Sequence, residues 1–321
     1  MELTNTQKTI IRILMADKSS TRSVLANKLS LTNAALTLAL KSLISEGMVL
    51  ENRSSGSQRV GRKEMQISLN PYYGSFLSVD IKKHHSYFYE VDFAGNLIEK
   101  TDDTQITFEK FLEDRENIIV SIGVVVRGDA SEEVFTKKHP ELLEILHNCR
   151  IPYFIFNNVD CLANIYYLSF HHAKNFLLVK YGPGVGSSIY ANGKPLGALS
   201  ELGHTFYGDK MVEDTISYSA ILGQDMDENE ATALIKADKE KLCKVLKVLS
   251  FALCNADSLL SLQKVILSGA LLSDEEVLEA LKKQIISLNP SFDLEKISLY
   301  ENYLDINEIK GALGAFNRTF R

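Results

Sequence analysis

The sequence predicts an α/β protein with a small helical head and a larger, two-lobed α/β body. Three observations predict it. Helical periodicity with cap residues fills residues 4–47 and then gives way to two short strand-like runs. From residue 73 onward, strand and helix patterns alternate. Charge is divided unevenly: residues 1–75 hold ten Lys and Arg against five Asp and Glu, a net of +5, while the remainder holds 25 against 36, a net of −11.

The 321 residues suit two or three domains, and 45% apolar content suits globular units with sizeable cores. No apolar run approaches the ~20 residues that span a bilayer. The first residues, MELTNTQKTIIRIL, lack the layout of a secretory signal. A cytoplasmic protein with no membrane partner is expected. Cys149, Cys161, Cys243 and Cys254 show no Cys-x-x-Cys spacing. They read as reduced thiols rather than a disulfide framework or a metal site.

In the head, Ile10, Ile11, Leu14 and Met15 lie at helical spacing behind Thr4 or Asn5 as N-cap. Ser20 reads as the cap of a second helix, Thr21 to Leu29. Thr32 caps a third, to about Ser45, with Leu36, Leu40, Leu43 and Ile44 inward and Gly47 closing it. Two strands follow, residues 48–52 and 64–69. Between them lies a basic, glycine-containing loop with Arg59, Arg62 and Lys63. Three short helices and a basic hairpin make a winged helix-turn-helix, residues 1–70, whose expected partner is operator DNA. The third helix would enter the major groove with Thr32, Asn33, Thr37 and Lys41 outward, and the wing cations Arg59, Arg62 and Lys63 would meet the phosphates or the minor groove. A helical protein-interaction module is the alternative; the wing and the local charge favour DNA.

Asn70-Pro71 marks the boundary to the body, because proline ends a strand. Residues 73–80, 87–92 and 97–100 read as a meander, 107–117 as a helix, and Ile118 to Val126 as a strand buried on both faces. A helix over 140–148, a strand over 152–156 and a helix over 157–170 complete a first lobe, 71–170. A second lobe, 171–321, opens again with strand, turn and strand. Its start, Phe176 to Tyr181, leads through Gly182-Pro-Gly184-Val-Gly186 to a hairpin turned at Asn192-Gly193. The stretch closes on Glu201-Leu-Gly-His204, a carboxylate and an imidazole able to hold sugar hydroxyls. A long helix, 239–261, a strand, 264–267, and helices over 274–286 and 307–316 follow, with a short strand at 295–299. The repeated opening suggests two related lobes with a cleft between them.

Taken in order, these pieces resemble the ROK family (repressor, open reading frame, kinase), in its xylose-repressor-like transcriptional-repressor branch. The matching residues are Gly61-Arg-Lys63 after the wing, Val79-Asp-Ile81 on the first body strand and Asn157 at a strand end. Gly182-x-Gly184-x-Gly186, Glu201-Leu-Gly-His204 and Gly311-Ala-x-Gly-Ala315 complete the set. The resemblance implies an actin/hexokinase-like (ribonuclease-H-like) body behind the head. It also implies a sugar or sugar-derivative effector held by Asn157, Asn158, Glu201, His204 and Glu213, and a homodimer or tetramer.

The chain departs from the family's kinases at three places. Their first strand leads into Asp-x-Gly-Gly-Thr; here it reads Asp80-Ile-Lys-Lys-His84, with side chains where the phosphates need bare backbone. Lys82 and Lys83 could hold an anion by charge; a solvated polar turn is the simpler reading. The kinases' catalytic base is the Asp of an Asn-Asp pair; here the pair is Asn157-Asn158, and an amide accepts no proton near neutral pH. The family's zinc cysteines have no counterpart after His204, and the last phosphate loop is reduced to Ser268-Gly269. The expectation is therefore a regulator and not an enzyme: a repressor of carbohydrate-metabolism genes with no catalytic residue, cofactor or metal. One alternative is a body that no longer binds sugar and serves dimerisation or a protein partner. The other is an ATP-dependent sugar kinase carrying a DNA-binding head.

Overall fold

The computed structural model describes residues 2–53, 65–82, 85–115, 118–169, 173–196, 201–224, 226–300 and 303–321. They form two compact units, residues 1–169 with 307–321, and residues 170–306.

The first unit begins with α1 (Asn5–Asp17). Thr4 and Gln7 cap it reciprocally, Gln7 N donating to Thr4 Oγ1 at 3.3 Å and Thr4 N to Gln7 Oε1 at 2.9 Å. Strand β1 (Ser19–Thr21) precedes α2 (Arg22–Leu29). Ser20 therefore pairs with Ile67 in a sheet, and the hydroxyl that caps α2 is that of Thr21, one residue later than the sequence suggests. Helix α3 (Asn33–Ser45) is capped by Thr32 as expected, and Gly47, at φ +75°, turns the chain out of it. Strands β2 (Val49–Arg53) and β3 (Met65–Leu69) pair antiparallel, and the sheet order is β1-β3-β2. This is a winged helix-turn-helix. The tip of its wing, with Arg59, Arg62 and Lys63, lies outside the described residues.

The body part of this unit is a five-stranded sheet. Strands β4 (Ser75–Ile81), β5 (Ser86–Asp92) and β6 (Leu97–Asp102) form the antiparallel meander. Helix α4 (Phe108–Glu113) leads to β7 (Ile119–Val126), parallel to β4. Then come α5 (Glu132–Lys138), α6 (Pro140–Asn148), β8 (Tyr153–Asn157), parallel to β7, and α7 (Asn158–Ser169). The sheet order is β6-β5-β4-β7-β8. Helix α5 has no counterpart in the sequence reading. It is two turns long and buries one side chain, Phe135, too little for a periodic signal.

The last helix, Tyr303–Thr319, returns to this unit. The expected second lobe, 171–321, thus loses its final helix to the first unit. The reason is its apolar face. Ala312, Phe316 and Phe320 share one buried cluster with Ile10, Ile11 and Leu14 of α1, with Phe76 and Val91 of the sheet and with Phe93 just after β5. Head and lobe have no separate cores at this point. Gly123 and Gly311 let the helix lie against β7: a Cβ on Gly123 would stand 1.9 Å from the Gly311 carbonyl oxygen.

The second unit repeats the plan. Strands β9 (Phe176–Tyr181) and β10 (Val185–Ala191) form a hairpin, and β11 (Lys194–Pro195) follows a turn in which Asn192 and Gly193 both have positive φ, as the Asn-Gly pair predicts. A small hairpin, β12 (Phe206–Tyr207) and β13 (Lys210–Met211), precedes α8 (Val212–Ile216), α9 (Tyr218–Leu222), α10 (Glu228–Ala237) and the 22-residue α11 (Lys239–Leu260). Strand β14 (Lys264–Ser268), helix α12 (Glu275–Leu288) and strand β15 (Ile297–Leu299) close the unit. The order β11-β10-β9-β14-β15 matches that of the first sheet strand for strand: a first strand in the middle, two antiparallel strands to one side, two parallel strands to the other. Two copies of this ribonuclease-H-like plan are the α/β body expected from the sequence.

Candidate nucleic-acid interface and ligand site

On the head, Thr32, Asn33, Thr37 and Lys41 are all exposed, as expected from the sequence. Two of them have committed hydroxyls. Thr32 Oγ1 accepts from Ala35 N at 3.3 Å as the N-cap. Thr37 Oγ1 donates to the Asn33 carbonyl at 2.7 Å and accepts from Arg22 Nη1 at 3.3 Å. Arg22 is itself fixed by Glu51 of β2, through Nε–Oε1 at 2.8 Å and Nη2–Oε2 at 3.1 Å. This fork joins α2 to the wing strand, and the hydrogen bond holds the Glu51 carboxyl below the usual carboxylate range. Sequence reasoning missed Arg22 and Glu51, 29 residues apart, and also Leu38, which is 72% exposed. Leu38 had a signal: it lies ~200° around the helix from the buried Leu36.

In the first unit, Asn157 is buried at the end of β8. Its Oδ1 accepts from Val159 N at 2.8 Å and Asp160 N at 3.3 Å, capping α7, and its Nδ2 donates to the Gly128 carbonyl at 2.7 Å. Asn157 thus positions the start of α7. Asn158, the first residue of α7, is half-buried, and its side chain has no hydrogen-bond partner among the described residues. Asp80, at the end of β4, is buried with Lys310 of the last helix, Nζ to Oδ2 at 2.7 Å; Lys310 also donates to the Asn307 carbonyl at 2.8 Å. Lys82 stands 3.8 Å from the same carboxylate oxygen and 4.7 Å above the Tyr87 ring. Lys83 and His84 lie outside the described residues. The Cys161 thiol donates to the Lys310 carbonyl at 3.1 Å, and burial pushes its pKa up to about 12.

In the second unit, Glu201 precedes a single 3-10 turn, Leu202–His204, and lies 3.7 Å from His204 through Oε2 and Nε2. Glu201 is mostly covered, whereas His204 is half exposed. Leu202 N donates to Ser187 Oγ at 2.6 Å, and a Cβ on Gly203 would stand 2.2 Å from the Val185 carbonyl oxygen, so this glycine serves close packing. Glu213, expected as a sugar contact, sends Oε2 to Val185 N at 2.8 Å. A Cβ on Gly184 would stand 2.8 Å from that oxygen. The bare glycine backbone therefore admits an internal carboxylate. Glu228 does the same at the second turn, its Oε1 accepting from Ala270 N at 3.1 Å beside Gly269. Glu228 and Lys310 have no counterpart in the sequence reading. Among the described residues, no group of three His, Cys, Asp or Glu side chains could hold a metal ion.

A winged head joined to a duplicated ribonuclease-H-like body is the plan of the chain. The chain has the fold of the ROK family transcriptional regulators. It is similar, over 99% of its length and 97% of the other chain, to a ROK family transcriptional regulator described as a homolog of the E. coli MLC protein, with a TM-score of 0.66 and 17% identity. It is also similar to a ROK family protein from Streptococcus pneumoniae TIGR4 in complex with sucrose, over 76% of this chain and 97% of that one, TM-score 0.60, 19% identity. The ROK hexokinase from Thermus thermophilus is similar over 76% and 98%, TM-score 0.61, 15% identity. Among curated proteins, the transcriptional regulator AdcR of Streptococcus pneumoniae serotype 2 (strain D39 / NCTC 7466) is 45% identical over 58 residues, 18% of this chain. The match spans 39% of that protein's length. No family model matches the chain.

Proposed function

We propose that this chain is a DNA-binding transcriptional regulator, a repressor of carbohydrate-metabolism genes, whose kinase-like body senses a sugar or sugar derivative without phosphorylating it. The observation that carries the reading is the pair of glycine turns closed from within. Glu213 and Glu228 place carboxylate oxygens on the backbone amides of Val185 and Ala270, where a nucleotide phosphate would be repelled. Two further features agree. Asp80 is engaged by Lys310, and Asn158 stands where the related kinases carry their base. Glu201 and His204, 3.7 Å apart, pair a covered carboxylate with a half-exposed imidazole, groups suited to sugar hydroxyls. Operator DNA is the partner of the exposed face of α3 and of the wing, and two heads on a homodimer would read two half-sites. A ligand shifts such a system only through differential affinity for its two states.

The test is a thermal-shift screen of the full chain against neutral sugars, amino sugars and sugar phosphates, with and without ATP and Mg²⁺. A ligand at ~100 times its Kd adds roughly 2.7 kcal/mol. The expected result is a shift with one sugar that is indifferent to ATP and lost in Glu201→Ala. Transfer of phosphate from ATP to any sugar, read by phosphorus NMR, would overturn the reading. A second reading has its own support: Asn157 and Glu213 are both held by backbone groups, which suits a body that serves dimerisation or a protein partner. A screen without any shift favours it.

A further inference from the structure

We propose that α3 reads thymine C5-methyl groups in the major groove, with Leu38 as the specificity-determining residue; this rests on the DNA-binding reading above. Asn33, Ala34, Thr37, Leu38 and Lys41 are exposed along one side of the helix at spacing i, i+1, i+4, i+5 and i+8, and Leu38 stands opposite the buried Leu36, Leu40 and Leu43. Along the helix axis, the middle of that side is apolar. Leu38 is 72% exposed, and Ala34 beside it is exposed as well.

Thr37 adds a methyl group rather than a hydroxyl. Its oxygen donates to the Asn33 carbonyl at 2.7 Å and takes Arg22 Nη1 at 3.3 Å, while Arg22 is locked by two bonds to Glu51. The orientation of Thr37 is therefore set within the head. A single exposed leucine would call for no explanation. Here three methyl-bearing side chains adjoin at the middle of a helix that a winged head presents to DNA. In the major groove, thymine alone offers a methyl group, and apolar side chains are its natural contacts. The net charge of +5 on residues 1–75 favours a polyanion over an apolar protein segment as the occupant. Asn33 and Lys41, at the two ends of the face, remain for polar contacts to a base edge or a phosphate.

The experiment starts from selection of bound duplexes out of a random-sequence pool by the full-length protein. Each thymine of the enriched half-site is then replaced by uracil, which removes only the methyl group. The expected result is at least one thymine where uracil weakens binding about fourfold, the worth of one buried methyl. Leu38→Ala should weaken binding to the thymine duplex and abolish the thymine–uracil difference at that position. Lys41→Ala should weaken both duplexes alike and lower the salt slope. Leu38→Gln is the second variant, with circular dichroism confirming the fold of each. Enrichment of a sequence on which uracil costs nothing, or full discrimination retained by Leu38→Ala, would overturn this inference and leave DNA binding standing. No enriched sequence at all would overturn both.

Discussion

Lys310 holds Asp80 at 2.7 Å with both side chains almost wholly buried, across 230 residues of sequence. A buried pair stabilises little in itself, but breaking it strands a charge. Lys310→Met should cost about 3–5 kcal/mol in urea unfolding. Lys310→Met combined with Asp80→Leu should cost clearly less than the sum of the two single changes, since no charge is then left buried. Equal, additive losses would show that the pair is not coupled.

The Arg22–Glu51 fork predicts a pH dependence. The folded carboxyl of Glu51 titrates below its ordinary range because Arg22 hydrogen-bonds it. Its stabilisation is therefore complete above the unfolded carboxylate pKa and is lost as pH falls through the lower, folded value. Both side chains are partly exposed, so the effect is small, at most about 1 kcal/mol. Melting curves from pH 7 to pH 3 should show Glu51→Gln losing less stability on acidification than the parent chain.

Two glycines should respond differently to alanine. At Gly123 the new Cβ meets the Gly311 carbonyl at 1.9 Å, backbone against backbone, so the last helix must move off the sheet. At Gly47 nothing lies within 4 Å, and the cost is that of a positive φ. Gly47→Ala should lose about 1–2 kcal/mol, and Gly123→Ala distinctly more, read as a fall in melting temperature.

The cysteines should separate by reactivity. Cys243 is exposed, whereas Cys161 is buried with its thiol raised to about 12. At pH 8 a maleimide should modify Cys243 rapidly in the folded protein and Cys161 only after denaturant is added; peptide mapping by mass spectrometry distinguishes them.

Local signals carried the sequence reading a long way. Thr32 before an apolar period, Asn192-Gly193 between strands, and an unbroken apolar run over 118–126 each specify an element by chemistry within a few residues. Their repetition made the two related sheets legible. What the sequence hides is the partner. The period of Ala312 and Phe316 shows that a face is buried, yet not that α1 and the first sheet bury it. The resemblance assigns Glu213 to a sugar, yet a carboxylate suits a ligand and suits another part of the chain equally well, and here it sits on Val185 N beside the bare Gly184. Asn157 was likewise placed correctly at a strand end, but its amide caps the helix that follows.

The cluster that joins Ile10, Ile11 and Leu14 to Phe316 and Phe320 sets an order of events during synthesis. Ile10, Ile11 and Leu14 leave the ribosome roughly 300 residues ahead of Phe316 and Phe320. At ~5–20 residues per second the head waits tens of seconds with part of its apolar face uncovered. Until Phe316 and Phe320 emerge, nascent copies present that face to chaperones, and a stop before Phe316 would leave the apolar face of α1 partly uncovered.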